Sequence, residues 1–170
     1  MLDKLEDLKE INDDYSNGLK SLRNHVEFSG RSLGIWEDDL IDYYPELPDE
    51  LDELDARDFY KYYKQIENGL EIIENNLYAA TSIHLIIDTQ MQQAYREKYL
   101  SFTDKLTVAH KELAAKNSVS KLEEKRMIAE IIKSFWFEKK ALFNAKKKQI
   151  ESIFWLSKNN KDQNEELEED

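Results

Sequence analysis

Cysteine is absent from this 170-residue sequence, proline occurs twice and glycine four times. Without a thiol there is no disulfide, no thiolate zinc site and no cysteine nucleophile, and a reducing compartment suits the chain. So little Gly and Pro leaves few places for tight turns, which favours long helices over a sheet-rich fold. No apolar run reaches the roughly 18 to 20 residues that a bilayer-crossing helix needs. The most apolar stretch, residues 77–87, contains Thr81, Ser82 and His84. The N-terminus, Met1-Leu2-Asp3-Lys4-Leu5-Glu6-Asp7, lacks the apolar core of a secretory leader. The expectation is a soluble protein of the cytoplasm, the host cytoplasm if the source is viral, with no membrane partner.

Charge is what the chain has in quantity. Charged residues make up 35 % of it, for a net charge of −12. They are segregated. Residues 37–58 carry eleven acids against the single Arg57, residues 59–118 are balanced, residues 119–158 hold ten bases against five acids, and residues 159–170 hold six acids against Lys161. A basic segment thus lies between two acidic ones, although the average argues against whole-molecule attraction to a polyanion.

The apolar pattern is helical almost throughout. Leu5, Leu8, Ile11, Tyr15, Leu19, Leu22 and Val26 recur at steps of three and four, which predicts an amphipathic helix over 2–28 in an N-terminal segment 1–30, capped by Gly30. Residues 31–57 hold both prolines and read as an acidic connector. Short helical turns are expected near Trp36–Tyr44 and after Pro48. From Asp58 a register runs through Phe59, Tyr62, Ile66, Leu70, Ile73 and Leu77, and again from Met91 to Leu113. Between these runs, Ser82-Ile83-His84-Leu85-Ile86-Ile87 is apolar on more than one face. It reads as helix buried on several sides or as a short break, with a strand pair as the minority alternative.

Asn117-Ser118-Val119-Ser120 interrupts the pattern, and Ser120 with Glu123 has the form of a capping box. A last helix over 120–158 is then expected to fold back on a longer arm of 58–116, and the tail 159–170 to be disordered. The fold class that follows is all-α: a long antiparallel helical hairpin or coiled coil over 58–158, with an N-terminal helix packed on it. Because the return arm is the shorter, Phe59, Tyr62, Ile66, Leu70, Ile73 and Leu77 would lie uncovered, which predicts self-association through that stripe.

Parts for chemistry are scarce. His25, His84 and His110 fall on separate helical stretches, none preceded by an acid three residues earlier as a di-metal bundle requires. No Gly-rich phosphate loop, Gly-x-Ser-x-Gly or His-Glu-x-x-His is present. The carboxylates of 37–58 lie in the most hydrated part of the chain, a poor setting for acid/base or magnesium work. No catalytic residue, metal, cofactor or small-molecule substrate is expected.

The most suggestive constellation is in the C-terminal helix, where Lys133, Lys139, Lys140, Lys146, Lys147, Lys148 and Lys158 alternate with Phe135, Trp136, Phe137, Phe143, Phe154 and Trp155. Lysines for phosphates and rings for stacking are the elements of a single-strand binder. Spacing puts Trp136 and Phe143 toward the core, and leaves Phe137 and Trp155 nearer the edges.

In layout, residues 59–158 resemble the small helical recombination mediators of phage genomes. A long helix from Tyr78-Ala79-Ala80 to Lys116, a linker at Asn117-Ser118 and a Lys- and aromatic-rich helix ending Ile150-Glu151-Ser152-Ile153-Phe154-Trp155 carry the resemblance. It implies a homo-oligomer, single-stranded DNA as a ligand, and contacts with DNA-processing proteins. The function expected is that of a non-catalytic, self-associating helical protein serving DNA recombination or replication. The alternative is a structural or packaging adaptor that docks basic partners through the acidic connector and tail.

Overall fold

The computed structural model describes residues 18, 21–47, 55–102 and 107–168. Two long helices dominate: α2, Ala56–Leu100, and α3, Val108–Glu168, packed against each other as an antiparallel hairpin. Ahead of them come a two-residue strand pair, β1 (Glu27–Phe28) and β2 (Arg31–Ser32), and a short helix α1, Leu33–Ile41. The all-α expectation holds. Of the helix expected over 2–28, residues 21–25 are helical and nearly all of 2–20 lies outside the described residues.

Gly30 does not cap a helix. With Ser29 (φ 54°) and Gly30 (φ 76°) both left-handed, it closes a two-residue turn between strands that pair Glu27 with Ser32 and Phe28 with Arg31. Ser32 then begins α1, its hydroxyl accepting from the Ile35 N–H at 3.3 Å. The indole of Trp36 donates to the Phe28 carbonyl at 3.0 Å and tethers the helix to the turn.

The position of the long turn departs most from expectation. α2 starts behind Asp55, whose carboxylate accepts from the Arg57 and Asp58 N–H groups at 2.8 Å, and it stops at Leu100. Ser101 closes its end through the Glu97 and Lys98 carbonyls. Thr107 caps the next helix, its hydroxyl lying 3.4 Å from the His110 N–H. The chain therefore reverses between 101 and 107, and residues 117–120 lie inside α3. Their hydroxyls turn back on their own helix, Ser118 to the Ala115 carbonyl (2.7 Å) and Ser120 to the Asn117 carbonyl (3.1 Å), which makes them compatible with a helix interior. Ala115 and Val119 are buried, so the apolar period runs through the supposed break. At its other end α3 is helical as far as Glu168, past the end expected near Lys158, so that 159–168 is helix and not the disordered tail.

The chain divides into two compact units. The first comprises Met1–Glu71 and Ala141–Asp170. Its core joins Val26, Phe28, Leu33 and Leu40 to Ile66 and Leu70 of α2 and to Phe143, Ile150 and Ile153 of α3. Gln65 donates to the Asp42 carbonyl at 2.7 Å, and the Tyr44 ring meets Phe143 edge-on at 5.3 Å. A Cβ on Gly69 would overlap the Phe143 ring and come within 2.8 Å of Tyr43 Cβ, so this close approach requires glycine. The second unit, Ile72–Lys140, is a stretch of the hairpin alone. Ile73 and Ala80 of α2 and Ala115, Val119, Ala129, Ile132, Phe135 and Trp136 of α3 are buried there.

Candidate functional site

The stripe expected to bind a second copy is largely consumed within the chain. With the turn at 101–107 the return arm begins a dozen residues earlier and is the longer one, so it reaches these positions. Ile66, Leu70 and Ile73 are buried, Phe59 stacks on Phe154 with ring centres 4.1 Å apart, and Tyr62 and Leu77 are half-buried. The argument for self-association from an uncovered stripe at 59–77 is therefore overturned.

The lysines of α3 are drawn into contacts as well. In the 72–140 unit Lys140 pairs with Glu74 at 2.7 Å, and Lys133 with Glu130 at 3.1 Å. Lys139 is buried, its ammonium 5.4 Å from the centre of the Phe135 ring. In the other unit Lys147 bonds Glu67 at 3.1 Å and lies over the Tyr63 ring, while Lys146 lies over Tyr44. Hydrogen bonding to Tyr63, then to Glu67, holds the Lys147 ammonium pKa above its ordinary value. Heptad spacing explains this placement: 133, 140 and 147 recur at the edge of the α3 core face, where a long side chain reaches across to the neighbouring helix. Lys148 is exposed. Of the rings, Trp136 and Phe143 are buried, whereas Phe137 (67 % exposed) and Trp155 (58 %) stand outward, Trp155 with the Lys158 ammonium 5.6 Å from its ring centre.

The histidines are not brought together. His25 Nδ1 lies 2.6 Å from the Ser21 carbonyl, and His110 Nδ1 is 2.8 Å from the Thr107 hydroxyl. His84 faces α3, its Nε2 lying 2.7 Å from Glu130 without the geometry of a hydrogen bond. Hydrogen bonding to Lys133 lowers the Glu130 pKa, with smaller contributions from Lys133, His84 and Arg126 as charges, against a partial opposing effect of desolvation. Among the described residues no group of three His, Cys, Asp or Glu is placed to hold a metal ion. Nor is any described helix long and apolar enough to cross a membrane.

Comparison with protein-family models, with curated proteins and with solved structures finds no match.

What remains is a surface on α2 that the sequence marked without assigning it a role. Ser82–Ile87 is continuous helix, neither break nor strand; His84 and Ile87 are half-buried, His84 against Glu130 of α3, while Ile83, Leu85 and Ile86 are exposed. Tyr78 is 78 % exposed, Leu85 64 % and Ile86 55 %. A helix apolar on several faces is normally covered on several faces.

Proposed function

We propose that this chain is a non-catalytic helical interaction protein that works by self-association, and that the surface it uses lies on α2 within the 72–140 unit. The observation that carries the reading is the exposure of Tyr78, Leu85 and Ile86 on a helix stretch that is apolar on more than one face. Two helices can cover only their mutual faces, and a large apolar face left in water is a characteristic of docking surfaces. Light scattering across micromolar concentrations tests this reading. It expects a mass at least twice that of the 20.2 kDa chain, and a monomer at every concentration would refute it.

A second reading, an accessory of single-stranded DNA metabolism, draws its support from Phe137, Trp155, Lys148 and Lys158, the ring and lysine positions left outward. Its weakness is that Lys133, Lys140 and Lys147 already face carboxylates, so a phosphate would have to compete for them. Anisotropy of a labelled oligonucleotide at low salt separates the two. Binding that weakens for Lys148→Glu favours DNA, and no binding with the oligomer intact favours self-association alone. The adaptor reading, in which acidic segments dock a basic partner, would instead require binding that is lost when Glu37, Asp38 and Asp39 are neutralised.

A further inference from the structure

Between Glu74 and Arg96 the only Asp, Glu, Lys or Arg is Asp88, in a chain of which 35 % is charged. Within this stretch α2 has two seams. The inner one, Ile73, Leu77, Ala80, His84 and Ile87, faces α3. The outer one runs Asn75, Tyr78, Ser82, Leu85, Thr89 and Gln92, with alternating steps of three and four, the spacing of a helix–helix contact. Apart from the half-buried Ser82, all these residues are exposed.

The polar groups on the outer seam are largely disposed of. The Ser82 hydroxyl donates to the Tyr78 carbonyl at 2.9 Å and the Thr89 hydroxyl to the Leu85 carbonyl at 2.8 Å. Both side chains can therefore be covered without stranding a donor. Gln92 donates to Asp88 at 2.9 Å and ties the one charge to its own helix. Ile86 flanks the seam and widens its apolar strip.

Charge permits a second copy here and spacing favours one. A face without charge adds no local like-charge repulsion between two copies of an acidic chain. A partner recognised through charge would find nothing here to pair with. Steps of three, four, three, four and three read the same in both directions, so the seam is complementary to itself when reversed, as a two-fold contact demands. Reversal sets Ser82 against Leu85, Tyr78 against Thr89 and Asn75 against Gln92, which opposes small to large and amide to amide.

We infer that the outer seam of α2 docks a second copy of this chain, antiparallel, about a two-fold axis between Ser82 and Leu85. The inference rests on the self-association reading and adds the surface and its orientation.

Two substitution sets test it. Leu85→Glu alters a side chain exposed in the monomer, so helicity by circular dichroism should not change while the light-scattering mass falls to that of one chain. Leu113→Glu, on α3 and similarly exposed, should leave the oligomer intact. A Leu85→Glu protein that keeps the wild-type mass overturns the seam but not self-association, whereas a monomeric wild type removes the underlying reading. Orientation is read from cross-linking, because the chain has no cysteine of its own. With a maleimide linker of about 8 Å, Asn75→Cys protein mixed with Gln92→Cys protein should form a cross-linked heterodimer. Asn75→Cys alone should not, since antiparallel packing holds the two copies of that position about 25 Å apart along the axis. Efficient cross-linking of Asn75→Cys to itself would overturn the antiparallel arrangement.

Discussion

Lys147 donates to Glu67 at 3.1 Å across eighty residues of sequence, and with that contact the register of the hairpin is fixed in the unit formed by the chain ends. Both side chains are partly exposed, so the coupling should be modest, about 0.5 kcal/mol. Lys147→Glu and Glu67→Lys should each lower the urea midpoint. The double exchange should recover most of the combined loss in a double-mutant cycle. A cycle with no coupling energy would count against this register.

Lys147 and, in the other unit, Glu130 set a pH dependence. Glu130 titrates below its ordinary 4.5 because Lys133 hydrogen-bonds its charged form. Its contribution to stability is therefore full above 4.5 and is lost as pH falls through the depressed value. Lys147 is held above 10.5, so its contribution is full below that value and is lost as pH rises through the raised one. Thermal midpoints should show a shallower acid limb for Glu130→Gln and a shallower alkaline limb for Lys147→Met. Unchanged limbs in both variants would contradict these assignments.

Placement of the turn gives the sharpest contrast with a reading of sequence alone. Ser120→Pro puts a proline inside α3 and should cost about 3 kcal/mol or more, by removing a helical hydrogen bond and clashing with the preceding turn. If the chain reversed at 117–120, the same proline would cost only a helix cap, about 1 kcal/mol. Urea denaturation of this one variant decides between them.

Gly69→Ala reverses the usual sign of a helix substitution. In an open helix alanine gains about 1 kcal/mol over glycine, but here the added methyl meets Phe143 and Tyr43. A net loss of about 1 to 3 kcal/mol is expected from overpacking. Gly69→Ala with Phe143→Leu should recover part of it, which a general helix effect would not.

Much of this architecture was legible in the sequence. The seams at Phe59–Leu77 and Trp136–Ile150 announce a helical hairpin, and the scarcity of Gly and Pro excludes most else. The turn was misplaced because the serines at 118 and 120 look like cap residues. Nothing in a sequence distinguishes a hydroxyl that caps the next helix from one that bonds back to its own. Ser101 and Thr107, which close one helix and open the next, were the better signal, but the apolar period through Phe102 concealed it. That one misplacement also put the uncovered stripe at 59–77, since the length of the return arm decides what is covered. The strand pair at 27–32 was hidden by a helical period reaching Val26, although Ser29-Gly30 is a recognisable hairpin turn. The unusual character of Ser82–Ile87 was visible from composition alone. Which of its faces α3 would leave open depended on a register that only the folded chain supplies.

Self-association through α2 is tested most directly by hydroxyl-radical footprinting read by mass spectrometry, in concentrated and in diluted protein. Tyr78 and Leu85 should be protected at high concentration and become reactive on dilution, while Phe137 and Trp155 stay reactive throughout. Tyr78 labelled at one rate across the whole concentration range, as fast as Phe137, would contradict it.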